Sequence, residues 1–131
     1  MAGFTQQWEQ NILNRVFRGQ NVTFPSTVYV ALYTTAPTDT SEGVEVSGGS
    51  YARQAVTFGA PSGNPSVISN SANIDFPVAT ANWGTVVAFA IHSAASGTGN
   101  MICWGNLSTS KTIQTDDQAR ILAGNLQIQL D

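Results

Sequence analysis

The sequence predicts a mainly β protein, an antiparallel β-sandwich of about eight short strands with one N-terminal amphipathic helix. Three observations point there. Apolar residues follow a helical period only over residues 4–18. Beyond Pro25, β-branched and aromatic segments recur roughly every ten residues, divided by Gly, Pro, Asn and Ser clusters. A chain of 131 residues supports one core and is short for two. A single domain over 1–131 is therefore expected, with the helix at 4–18 and the sandwich at 26–131.

The helix rests on Phe4, Trp8, Ile12, Leu13, Val16 and Phe17, which form one apolar stripe at period 3.6. Its other face carries Gln6, Gln7, Gln10, Asn11 and Asn14. Thr5 is placed to cap it, Arg15 and Arg18 suit the negative end of its dipole, and Gly19 supplies the stop. The stripe is expected to lie on the β core.

Residues 28–34, VYVALYT, are apolar on both faces and predict a central strand that ends where Pro37 cannot donate to a ladder. TSEGVEVSGGS, with Glu42 and Glu45, predicts an exposed loop over 39–50. Alternation predicts a strand at 51–58, and shorter ones are expected at 67–69 and 74–76. Residues 85–92 and 101–106 predict the arms of a hairpin across a Ser/Gly-rich break. Residues 119–131 predict two short strands divided by Gly124-Asn125.

Composition narrows the function. Charged residues make up 10% of the chain, against roughly 25% in an average soluble domain. Ser, Thr, Asn and Gln stand in their place, so little charge keeps copies of this surface apart. The net charge is −3, and Arg15, Arg18, Arg53, Lys111 and Arg120 do not cluster. Nucleic acid is therefore not an expected partner. One cysteine cannot form an internal disulfide, and no apolar run is long enough to span a bilayer. The N-terminal MAGFTQQWEQ lacks the basic and apolar regions of a secretion signal. No membrane partner is expected.

The one histidine and the one cysteine, His92 and Cys103, sit in the two arms of the same hairpin. If residues 93–100 form its loop, His92 lies opposite Met101 and Cys103 opposite Ala90. A catalytic pair also needs an electropositive setting and a group to orient the imidazole; the nearest cation in sequence is Lys111. The favoured reading is a small buried thiol and a histidine at a strand end. Asp116-Asp117 reads as a turn between strands rather than a cation site. Glu42 and Glu45 read as a solvated loop. Trp8 belongs to the helix stripe, and Trp83 and Trp104 read as corner-packing residues rather than a sugar platform. No nucleophile elbow, P-loop or dinucleotide fingerprint is present. No catalytic, cofactor-binding or metal residue is assigned, and no cofactor is implied.

Six segments occur in order: VALYTTAPTD (30–39), GGSYAR (48–53), IDFP (74–77), WGTV (83–86), WGNL (104–107) and SKTI (110–113). Together they resemble a family of small bacteriophage virion proteins commonly labelled phage tail fibre proteins, from about residue 4 to the C-terminus. The segments also have structural readings, with Thr-Ala-Pro ending a strand and Arg53 paired with a carboxylate such as Asp39. The resemblance implies a virion structural protein with no catalytic residues to carry over.

A fibre needs a shaft built of repeats or coiled coil, for which this chain has no room. The expected function is therefore a non-enzymatic virion protein on the particle surface, with capsid decoration (cement) ahead of a tail fibre or tail-associated subunit. A glycan-binding attachment module is the reading from a different class. The expected partners are copies of itself, in a homo-oligomer expected to be a trimer joined through the 39–50 loop. Other virion proteins, such as the major capsid protein or tail proteins, complete the set. The expected location is the virion, assembled in the host cytoplasm.

Overall fold

The computed structural model describes residues 3–130 and is mainly β, with one helix. Strand β1 (Gly3–Phe4) leads into helix α1 (Gln6–Arg18). There follow β2 (Val28–Thr35), β3 (Val44–Glu45), β4 (Gln54–Val56), β5 (Ser66–Ser69) and β6 (Ile74–Val78). The rest are β7 (Gly84–His92), β8 (Met101–Ile113), β9 (Gln118–Ile121) and β10 (Gln127–Leu130). All pairings are antiparallel.

The main sheet has six strands in the order β1-β8-β7-β2-β3, with β4 pairing along β2 as well. Two ribbons, β5/β10 and β6/β9, pair separately, and Ile74, Phe76, Ile121 and Ile128 from them join the same core as Val30, Leu32 and Ile91 of the main sheet. The predicted central strand is β2, which β7 flanks on one side and β3 and β4 on the other. Its apolar character on both faces has a direct cause. Val30 and Leu32 join the larger core with Phe76, Trp83, Val86 and Ile91, while Ala31 and Tyr33 join a smaller cluster with Ala88, Ala90, Met101 and Trp104. Alternate residues of one strand feed the two clusters because strand side chains point to opposite faces.

Several expectations are corrected. The predicted exposed loop contains β3, whose Glu45 pairs with Tyr33, and Val46 beyond it is buried. The strand expected over 51–58 is limited to Gln54–Val56, since Gly48, Gly49 and Ser50 all turn through positive φ just before it. The second hairpin arm runs on to Ile113, well past the expected 106. Of the last predicted segment, Asp131 lies outside the described residues, as do Met1 and Ala2.

The helix begins at Gln6, not at residue 4, because Gly3 and Phe4 pair with Trp104 and Cys103 at the edge of the main sheet. Thr5 stands at the N-cap without a side-chain cap bond; its hydroxyl donates instead toward the carbonyls of Met101 and Ile102. Gly19 ends the helix as predicted, left-handed at φ 64° with its N–H donated to the Asn14 carbonyl. The stripe is only partly covered. Phe4 and Trp8 pack against the larger core, whereas Leu13, Val16 and Phe17 are exposed. No helix among the described residues is long and apolar enough to cross a membrane.

Candidate functional site

The densest polar constellation gathers on Arg53. The segment ahead of β4 delivers its side chain, which is buried, beneath the hairpin loop of residues 93–100. Its Nε and Nη2 form a two-pronged bond with the two Glu45 carboxylate oxygens, each at 2.9 Å. The register of β3 on β2 sets Glu45 beside Tyr33 and so brings the carboxylate to this place. The remaining donors hold the loop: Nη1 reaches the Ala94 carbonyl (3.0 Å) and Asn100 Oδ1 (3.1 Å), and Nη2 the Gly97 carbonyl (2.7 Å). The Tyr51 hydroxyl donates to Glu45 Oε2 at 2.6 Å and accepts the Leu32 N–H at 3.0 Å.

His92 ends β7 within the same network. Its Nδ1 lies 2.6 Å from Asn100 Oδ1 and its Nε2 2.6 Å from the Tyr33 hydroxyl. The Asn100 amide nitrogen is turned to the Ser96 and Thr98 carbonyls, so Oδ1 faces His92 as an acceptor. His92 Nδ1 therefore carries the proton, and Nε2 accepts from Tyr33.

Burial presses on every charge here. It would raise the Glu45 carboxyl, but the Arg53 fork and the Tyr51 hydroxyl outweigh it and hold Glu45 below its usual range. Burial likewise disfavours charged Arg53, and Glu45 more than offsets this. His92 is pushed down by burial despite its bond to Asn100 and stays neutral. Burial drives both tyrosine hydroxyls upward.

The arrangement leaves no reactive group free. Both nitrogens of His92 are engaged, and among the described residues no buried side-chain nitrogen or oxygen lacks a partner. Cys103 lies elsewhere. A bulge at Ile102 sets it opposite Ile91, not Ala90 as expected, so it joins the larger core while His92 contacts Tyr33 of the smaller cluster. Residues directly paired share a face, and Ile91 points away from its neighbour His92. Burial alone pushes the Cys103 thiol up to about 12, the opposite of what a nucleophile requires.

The other singled-out residues bind the fold to itself. Arg53 pairs with Glu45 and not with Asp39, whose carboxylate accepts the Trp104 Nε1 hydrogen at 3.1 Å. Glu42 accepts the Gly99 N–H (2.9 Å), latching the 38–42 segment to the hairpin tip. Asp117 accepts the Gln114 N–H (2.8 Å) and Asp116 adopts φ 74°, together making the turn from β8 to β9. Trp83 and Trp104 are buried and offer no open face. A cleft of about 300 Å³ separates the start of α1 from residues 38–42, and a groove of about 830 Å³ runs between β8 and β9.

The network was out of reach of a motif search because Glu45, Tyr51, Arg53, His92 and Asn100 match no chemical signature. One signal existed: the six ordered segments. They converge. Tyr51 of GGSYAR stacks on Phe76 of IDFP (6.2 Å) and meets Trp83 of WGTV edge-on (5.4 Å). Trp83 donates through Nε1 to the Gly49 carbonyl (2.9 Å) and through its backbone N–H to Ile113 of SKTI (2.9 Å). Trp104 of WGNL meets Asp39 of VALYTTAPTD. The segments mark contacts between parts of the chain that are far apart in sequence.

Compared with known families, the chain is matched over residues 3–129 by the model of the family described as Podophage GP4 fiber I protein gp80. No curated protein matches the chain.

Proposed function

Since the chain belongs to the Podophage GP4 fiber I protein gp80 family, a phage fibre-type structural family, we propose that it is a non-catalytic subunit of a virion's tail fibre apparatus. The observation that carries this reading is the match over residues 3–129 of 131. Its polar network supports it, since the functional groups are spent on holding loops. Neither buried tryptophan provides a stacking platform of the kind a glycan-binding module uses.

Capsid decoration is the second reading, and one observation favours it. The described residues form a layered β structure with a single 13-residue helix and no shaft. In either position the subunit works by contact with copies of itself and with other virion proteins, three copies being the arrangement expected of a fibre. Antibody labelling of purified particles in the electron microscope separates the readings. Label confined to the tail supports the fibre role, label over the shell moves the protein to the capsid, and unlabelled particles contradict both.

A further inference from the structure

Helix α1 carries more apolar surface than the domain covers. At about 100° per residue, Trp8, Ile12, Val16, Leu13 and Phe17 span an arc of roughly 180°, beyond the stripe of roughly 100° with which a surface helix faces its core. The domain takes one edge, where Trp8 packs and Ile12 is half-buried. On the other edge Leu13, Val16 and Phe17 are 55%, 64% and 77% exposed. Phe24, 54% exposed, stacks on Trp8 at 5.9 Å. These four are half of the eight large exposed hydrophobics among the described residues; Val44, Val78, Leu122 and Leu130 are scattered along the rest of the chain. A helix of 13 residues is also near the limit of stability in water without packing, and α1 buries no residue fully.

We propose that the exposed apolar surface of this helix, with Phe24 at its Trp8 edge and Val16, Leu13 and Phe17 across the rest, is where one copy of the chain packs against another. Size supports it. The four side chains leave roughly 500 Å² uncovered, so two such flanks bury roughly 1,000 Å² between them, the area at which a specific interface begins. Chemistry selects a second copy as the occupant. A contact between copies must be self-complementary, and the flank is bordered by Gln6, Gln10 and Asn14, amides that both donate and accept and so can pair with one another. Of the helix's charges only Glu9 falls within the arc, while Arg15 and Arg18 lie outside it. A lipid surface is a poor fit, because an interfacial helix needs a cationic polar face and this one is amide-rich on a chain of net charge −3. The 39–50 loop, expected from sequence to make the contact, is instead held within its own domain through Glu42, Glu45 and Val46. The proposal holds at any position on the particle.

Sedimentation equilibrium on the full chain tests it, with Leu13→Ser/Phe17→Ser as the variant and Val78→Ser as an exposed control on β6. The wild type is expected to exceed its 13.8 kDa monomer mass at micromolar concentration. The double variant should associate at least about tenfold more weakly, and the control should match the wild type. Circular dichroism checks that the helix persists, and Phe17→Gln alone replaces the double variant if it does not. A wild type that stays monomeric, including one that binds a different virion protein through this flank, overturns the proposal. So does a folded flank variant that associates as strongly as the wild type.

Discussion

Arg53 ties its own segment to β3 and to the 93–100 loop through a single guanidinium, and its replacement should show how much of the fold depends on that junction. Removing one partner of a buried ion pair typically destabilises by about 3–5 kcal/mol. Glu45 keeps some solvent contact, so Arg53→Ala should cost about 3 kcal/mol in urea melts. Arg53→Lys cannot reproduce the fork or reach both loop carbonyls, and should recover less than half of that loss. Equal stability of wild type and Arg53→Ala would mean the network is ornamental.

His92 gives the same network a pH dependence with a definite sign. Burial holds its folded value below the usual 6.5, so as pH falls past that point the unfolded chain takes up the proton first and stability declines toward the folded value. Glu45, held below its usual 4.5, adds a second loss as pH falls through its own folded value. Melts from pH 7.5 to 3.5 should show a decline between pH 7.5 and 5.5 in the wild type that His92→Gln flattens, with the further loss below pH 4.5 kept in both. Parallel slopes in that window would refute a neutral buried His92. The place of His92 at a strand end was legible, whereas Glu45 reads as part of an exposed loop and lies in β3, and the partners of both were not legible. Asp39 was a reasonable guess for Arg53 by charge alone; the β2–β3 register, which no spacing reveals, delivers Glu45 instead.

At the level of elements, the turn at 48–50 and helix α1 carry separate expectations. A Cβ on Gly49 would stand 2.8 Å from Trp83 Nε1 and 2.9 Å from the Ala81 carbonyl oxygen, at φ +58°. Gly49→Ala should therefore cost at least about 1–2 kcal/mol from the left-handed backbone alone, with the crowded indole adding to it. An unchanged denaturation midpoint would show that the turn can shift away from Trp83. In the helix, Trp8 is only half-buried, so Trp8→Ala should cost about 1–3 kcal/mol, less than the 3–5 of a fully buried aromatic. Phe17→Ser, measured where the protein is monomeric, should stay within about 0.5 kcal/mol of the wild type. The reverse order would mean that the exposed flank is folded onto the domain in solution. The helix was legible because its period and its Gly19 stop are local signals. Its start was not. Phe4 keeps the helical spacing and yet pairs with Cys103, a long-range contact that competes with the periodic pattern and wins. The bulge at Ile102 moved Cys103 by one residue for a similar reason, as nothing in its own sequence marks the extra residue.

For the whole molecule, the class was legible from composition and pattern: one helical segment, then short β-rich segments divided by turn residues. The layering of a six-stranded sheet against two ribbons was not, since it depends on which short strands find each other across the chain. The six ordered segments proved to be places where those distant strands meet, which ties the family likeness to the fold. The low charge belongs to this scale as well, because a surface with few charges and many amides associates easily and its contacts should respond only weakly to salt. The most direct test of a virion structural role is the copy number of this chain in purified particles, measured by quantitative mass spectrometry against the major capsid protein. The account predicts a fixed number per particle, commensurate with the symmetry of the tail. Particles that contain none of it, while the protein accumulates free in infected cells, would contradict the account.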